Sequence, residues 1–169
     1  AKSVVVVGGG PAGLEAARVA ALRGHRVTLW EKDTRLGGNM VAASAAEFKR
    51  DIRPFIEYLI TQVTKLGVKI ELGWEATAEK VLSVNPDAVI LATGATPLVP
   101  RIPGIRQDRV FTAIDLLLGR RTAGDTVTVA GGGMVGCETA AYLAMQGKKV
   151  TLIEMMPQLL PEKVTLSPR

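Results

Sequence analysis

Apolar positions along this chain follow two rhythms. Short unbroken apolar runs occur at Ser3–Val7 (SVVVV), Val27–Glu31 (VTLWE), Val68–Leu72 (VKIEL), Asp87–Gly94 (DAVILATG), Thr126–Gly133 (TVTVAGGG) and Val150–Glu154 (VTLIE). Their length and β-branched content predict buried strands. Between them lie segments with helical spacing. Ala12–Arg23 is rich in Ala and Leu and stops at Gly24. From Phe48 to Leu66, the residues Phe55, Ile56, Leu59, Ile60, Val63 and Leu66 recur on one helical face, and Gly67 ends the run. Pro54 fits in the first turn of that helix, so its regular part is expected to begin after Phe48. Shorter helices are expected at Thr77–Val84 and Thr112–Leu118, and residues 32–46 read as a loop.

Strands alternating with helices predict an α/β fold of Rossmann-like type, a parallel sheet flanked by helices. Right-handed crossovers would set Val27–Glu31 beside Ser3–Val7 and Val68–Leu72 beyond it, with Ala88–Ala92 in the same sheet. The stretch TPLVPRIPG is proline-rich and must run extended. It suggests two domains, 1–104 and 105–169, the second a truncated βαβ unit.

The strand–turn–helix–strand pattern occurs twice. With an offset of 123 residues, Val4–Glu31 matches Val127–Glu154 at 14 of 28 positions. The identities include every glycine of GGGPAG and GGGMVG, Ala17 with Ala140, Gly24 with Gly147, and VTL with its following glutamate. One G-x-G-x-x-G is a weak signal, but two in the same setting indicate a repeated nucleotide-binding unit.

Each motif residue has a separate physical task. Gly8 and Gly131 permit the tight strand-to-helix turn, while Gly10 and Gly133 leave room for a pyrophosphate against the backbone. Gly13 and Gly136 let the helix approach the strand. The helix N-terminus, at Pro11-Ala12 and at Met134-Val135, offers N–H groups and a positive dipole end. Glu31, followed by Lys32, and Glu154 stand eighteen residues past the third glycine of each copy, where a carboxylate can accept from ribose hydroxyls. At the second site Glu154 is followed by Met155 and Met156, not by arginine. A 2′-phosphate would be repelled there, so NADH is preferred to NADPH.

Composition narrows the rest. The net charge of +5 comes from lysines and arginines scattered singly or in pairs such as Arg120-Arg121 and Lys148-Lys149. No nucleic-acid-binding block is present, and the basic excess suits anionic cofactors. Cys137 is the single cysteine and His25 the single histidine, so the chain by itself forms no C-x-x-C pair, cysteine cluster or metal site. No apolar run approaches the ~20 residues that cross a bilayer. Lys2 leads straight into a strand-like run, so no signal peptide is read and a reducing cytoplasm is the expected setting. Cys137, Trp30 and Trp74 read as packing residues, and Glu15 and Glu138 as carboxylates favouring a helix dipole.

An ordered set of motifs extends this reading. G-x-G-x-x-G, Glu31, LGG (Leu36–Gly38), ATG (Ala92–Gly94), a proline-rich crossover and a second G-x-G-x-x-G resemble the flavoproteins with two dinucleotide-binding domains. The resemblance implies FAD at the first copy, with Gly37, Gly38, Ala92, Thr93 and Gly94 among its contacts, and NADH at the second. The second copy shows neither LGG nor ATG, because the chain stops too soon. KSVVVVGGGPAGLEAARVAALRGHRVTLWEKDTRLGGNM, GVKIELG and DAVILATGATPLVPRIPG are similar to the C-terminal region of multidomain NADH:flavin oxidoreductases. These include the 2,4-dienoyl-CoA reductases, the 2-enoate reductases and trimethylamine dehydrogenase. LGGNMVAAS and FKRDIRPFIEYL are most similar to the 2-enoate reductase branch.

That resemblance implies a fragment of a parent enzyme. The parent would carry an N-terminal TIM barrel with FMN, and an iron–sulfur cluster linking it to this region. Under this reading the chain is an electron-input module, taking NADH and FAD but not competent alone, with no catalytic side chain of its own. The competing reading is a non-catalytic module that holds ADP, as trimethylamine dehydrogenase does. The sheet edge near Val150–Glu154 is expected to favour pairing with a second copy.

Overall fold

The computed structural model describes residues 1–160 and divides into two compact units, Ala1–Leu98 and the part from Val99 onward. Residues 161–169, the end of the expected second domain, lie outside the described residues.

The first unit is a parallel four-stranded sheet with helices. Its strands are β1 (Ser3–Val7), β2 (Arg26–Glu31), β3 (Lys69–Leu72) and β4 (Ala88–Leu91), in the order β3-β2-β1-β4. Strand β1 lies between β2, with Val4 opposite Val27, and β4, with Val4 opposite Ala88. Helix α1 (Pro11–Leu22) connects β1 to β2, and α3 (Ile52–Lys65) precedes β3. The period of two in the strands decides what each face buries. Val4, Val6, Val27 and Leu29 pack with Leu14, Ala17 and Ala20 of α1 and Leu59 and Val63 of α3. On the alternate positions Val5 and Trp30 are buried too. Trp74 meets Trp30 edge-on at 6.2 Å, and the Lys80 ammonium stands 4.7 Å above the Trp74 ring.

The long helix begins after Phe48, as the place of Pro54 requires, while several other elements differ from the sequence expectation. A 3₁₀ turn at Glu47–Lys49 comes first, and the α-helix starts at Ile52 with Pro54 inside its first turn. There the missing N–H of proline costs no helical hydrogen bond. The expected loop at 32–46 contains a short helix, α2 (Asn39–Ala43). Its five residues are too few to show helical periodicity. Strand β4 ends at Leu91, and the Ala92 N–H makes a last bond to the Val7 carbonyl of β1 at 2.8 Å. Helix α4 (Ala78–Ser83) is capped by the Thr77 hydroxyl, which accepts from the Lys80 N–H at 3.3 Å.

The second unit holds α5 (Ala113–Leu117), β5 (Thr126–Ala130), α6 (Met134–Met145) and β6 (Lys149–Ile153). Strands β5 and β6 pair in parallel, Val127 opposite Val150, as β1 and β2 do. Leu143 and Thr139 of α6 are buried. The Lys148 ammonium donates to the Ala123 and Gly124 carbonyls and holds the turn before β6. Among the described residues no strand pairs with the outer side of β5 or β6. No helix of the described residues is long and apolar enough to cross a membrane.

Candidate functional site

The two glycine turns are built alike. Strand β1 hands the chain to Gly8, whose N–H donates to the Trp30 carbonyl at 2.7 Å; Gly131 donates to Ile153 in the same way at 2.9 Å. Gly8 and Gly131 have φ +108° and +110°, a region that L side chains avoid. The third glycine seats the helix. A Cβ on Gly13 would lie 1.8 Å from the Gly8 carbonyl oxygen, and one on Gly136 would lie 1.8 Å from that of Gly131.

The middle glycines behave differently. Gly10 has φ −73°, open to any residue, and the nearest protein atom to a Cβ there would be Gly38 Cα at 3.9 Å. Gly133 would meet nothing within 4 Å. Packing does not explain the missing side chains, but a ligand pressed against the backbone does. Gly10 and Gly133 are also the N-caps of α1 and α6, and neither helix has a side-chain cap. The N–H groups of the first turn at Ala12-Gly13 and Val135-Gly136 therefore face an open, electropositive helix end. A pyrophosphate fits both places by charge, by donors and by space.

The two glutamates are more deeply engaged than sequence alone indicates. Glu31 is buried, its Oε2 accepting from the Gly9 N–H at 2.6 Å and its Oε1 from the Asp33 N–H at 2.8 Å. Glu154 is half-buried and repeats this with Gly132 at 2.5 Å and Met156 at 2.8 Å. Each carboxylate thus ties the end of its strand to the glycine between the first two motif glycines, Gly9 or Gly132. Each oxygen keeps a second lone pair, enough for a ribose hydroxyl. Lys32 is exposed beside Glu31.

The Met156 and Gly132 N–H groups hold the Glu154 carboxyl below the ordinary glutamate range. A depressed folded value stabilises the turn above the unfolded pKa, and that contribution is lost as pH falls through the folded value. The amide resonances of Gly132 and Met156 should therefore titrate together, with a midpoint below the ordinary glutamate range. Glu154→Gln should lack the transition. An amide shift titration that moves with a midpoint near neutrality would contradict the assignment.

LGG and ATG converge on the first turn. Leu36 enters the core, and Gly37 donates to the Gly9 carbonyl at 2.8 Å. Gly38 begins α2 so close to the turn that a Cβ on it would lie 3.0 Å from Gly10 Cα. The Ala92 N–H donates to Val7, and the Ala92 carbonyl oxygen would lie 2.2 Å from a Cβ on Gly8. Thr93 and Gly94 follow, both exposed, with Gly94 at φ +69°.

The second copy shows neither the LGG nor the ATG motif, but Leu36 and Gly37 have counterparts there in Leu159 and Leu160. Leu159 would touch a Cβ on Gly132 as Leu36 does on Gly9, and Leu160 donates to the Gly132 carbonyl as Gly37 does to Gly9. Leu160 takes φ +51° in place of Gly37. The 123-residue offset, continued past Glu154, would have aligned Leu36 with Leu159.

The remaining candidates are engaged in local contacts within the protein. The Cys137 thiol donates to the Gly132 carbonyl at 3.2 Å. Glu15 pairs with Arg18 at 2.6 Å, which lowers its pKa. The His25 Nδ1 accepts from the Lys2 N–H at 3.3 Å. No group of metal-ligating side chains forms among the described residues.

The family model for pyridine nucleotide-disulphide oxidoreductases matches residues 2–166. The chain belongs to this family. Among curated relatives of the pyridine nucleotide-disulphide oxidoreductase region, it is 48% identical over 162 residues to an NADH oxidase of Thermoanaerobacter brockii, covering 94% of this chain and 25% of that protein. It is 46% identical over 159 residues to a cinnamate reductase of Clostridium sporogenes, covering 94% of this chain and 24% of the relative. A solved structure of 2-naphthoyl-CoA reductase with 2-naphthoyl-CoA superimposes with a TM-score of 0.89 at 40% identity, over 94% of this chain and 24% of that one. The chain thus spans about a quarter of the length of these relatives. It is a flavin- and NADH-binding region of Rossmann type. Its single cysteine provides no disulphide pair within the chain.

Proposed function

We propose that the chain is the electron-input region of an NADH-dependent flavin oxidoreductase acting on activated carbon–carbon double bonds, as in 2-enoate reductases. The observation that carries the proposal is the pair of open glycine cradles, Gly10 and Gly133, each at an uncapped helix end beside a carboxylate. The names of the cinnamate and 2-naphthoyl-CoA reductases support the substrate class. FAD held at the first cradle would supply hydride-accepting chemistry towards NADH and a route for electrons to an iron–sulfur cluster and an FMN barrel domain of the parent.

The protein's own residues bind and orient. We assign residues 1–104 to FAD and the following part to NADH. Gly10 and the α1 N-terminus would receive the FAD pyrophosphate, Glu31 the adenosine ribose, and Thr93-Gly94 the flavin side. Gly133 and α6 would receive NADH, with Glu154 disfavouring the 2′-phosphate of NADPH.

The test is FAD uptake by the purified chain, read from its visible spectrum, with NADH and NADPH titrations alongside. Gly10→Ala separates recognition from folding. Its Cβ is accommodated by the protein and alanine at an N-cap costs about 1 kcal/mol, so the melting temperature should fall by no more than roughly 4–8 °C. FAD affinity should fall about ten- to a hundred-fold, as the methyl occupies the phosphate's place. A colourless wild-type protein that takes up no FAD, or unchanged FAD affinity in Gly10→Ala, would refute the assignment.

A further inference from the structure

The sheet order gives the first site a direction. Glu31 ends β2, Gly10 follows β1, and Ala92–Ala95 follows β4, in the lateral order β2-β1-β4. A dinucleotide with its ribose at Glu31 and its pyrophosphate at Gly10 must carry its second half toward β4. One side chain bridges the chain there. Asn39, the first residue of α2, donates from its Nδ2 to the Ala95 carbonyl at 3.2 Å, across 56 residues of sequence.

Asparagine near a helix start usually caps it, accepting from the N–H groups of the first turn. Here the cap position belongs to Gly38, and α2 has no side-chain cap hydrogen bond. The amide is spent instead on a segment otherwise poorly held. After the Ala92 N–H bonds to Val7, residues 93–98 are exposed and irregular, and Gly94 stands in open space at φ +69°. Among the described residues, Asn39 makes the side-chain hydrogen bond to that segment. Its own backbone is fixed firmly, because Gly38 abuts Gly10 and Gly37 bonds Gly9.

We infer that Asn39 is a positioning residue for the flavin half of the cofactor: its amide ties the 93–95 segment to the Gly10–Gly38 turn and sets the gap on the β4 side of the pyrophosphate. This rests on the FAD assignment above. The tie lies beyond the pyrophosphate, so it acts on the flavin half and leaves the ADP half alone.

The experiment measures FAD and ADP affinities of the 169-residue chain by calorimetry, for wild type, Asn39→Ala and Glu31→Ala. Asn39→Ala should weaken FAD roughly three- to ten-fold, the worth of one hydrogen bond, while ADP stays within about two-fold. The visible circular dichroism of its bound flavin should weaken, and the melting temperature without ligand should not change. Glu31→Ala should weaken both ligands. Equal loss of FAD and ADP in Asn39→Ala, or a lowered melting temperature accounting for the loss, would make Asn39 merely structural and overturn the inference. Unchanged FAD affinity in Asn39→Ala, with wild type binding FAD, would overturn the tie alone. Failure of wild type to bind FAD would overturn the cofactor assignment and the tie with it.

Discussion

Gly13→Ala should destabilise the first unit more than other single methyl additions at the site. The added carbon would sit 1.8 Å from the Gly8 carbonyl oxygen, and 3.0 Å from the Gly8 carbonyl carbon. Both are backbone atoms, and neither can rotate away. Either α1 lifts from the strand or the turn opens. Lifting α1 uncovers Leu14, Ala17 and Ala20, which lie in the main core. Overpacking that backbone cannot relieve costs about 3 kcal/mol or more. For a unit of this size that lowers the melting temperature by roughly 12–24 °C. Thermal denaturation followed by circular dichroism checks it, with Gly10→Ala as the control. A melting temperature within a few degrees of wild type would mean that α1 and β1 do not approach this closely.

Glu31→Ala should have the next largest effect, and it should appear before any nucleotide is added. The carboxylate is buried and accepts from two backbone N–H groups, Gly9 and Asp33. Alanine leaves both donors without that acceptor and costs about 1–3 kcal/mol of stability. The turn between Gly8 and Gly10 then loosens, so FAD affinity falls both from the lost ribose contact and from the lost shape. Glu31→Gln keeps one acceptor oxygen and should recover part of the stability. Chemical denaturation of the nucleotide-free protein decides this. Unchanged stability in Glu31→Ala would reduce the residue to a ligand contact and nothing more.

The fold was legible where period and punctuation agreed. Four parallel strands, their order and the helix after each glycine turn follow from short apolar runs and from right-handed crossovers. The repeat revealed the second turn because the same geometry demands the same glycines. What remained hidden had no periodic signature. Helix α2 is five residues long, and it depends on Gly37 and Gly38 packing against Gly9 and Gly10, a contact between distant parts of the chain. The 3₁₀ turn at Glu47–Lys49 precedes the helix and is too short to show a period. In the site, the sequence marked Glu31 and Glu154 as carboxylates for a ribose, but it could not show that each first clamps its own turn. Gly9 and Gly132 occupy the unspecified second position of G-x-G-x-x-G, which gives no sign of their packing. A Cβ at either would collide with Leu36 or Leu159 and with the glutamate itself.

The two units also differ in how their ladders are shielded. In the first, β1 and β2 each have a strand on both sides. In the second, among the described residues, β5 and β6 pair only with each other, and a Cβ on Gly131 would meet nothing where one on Gly8 meets Ala92. A strand bonded on one side opens by breaking a single ladder. Deuterium should therefore enter the β5 and β6 amides through local opening, while the β1 and β2 amides wait for the whole sheet to come apart. Exchange rates measured strand by strand would then give two clocks within one chain, the faster one set by an edge and the slower one by a core.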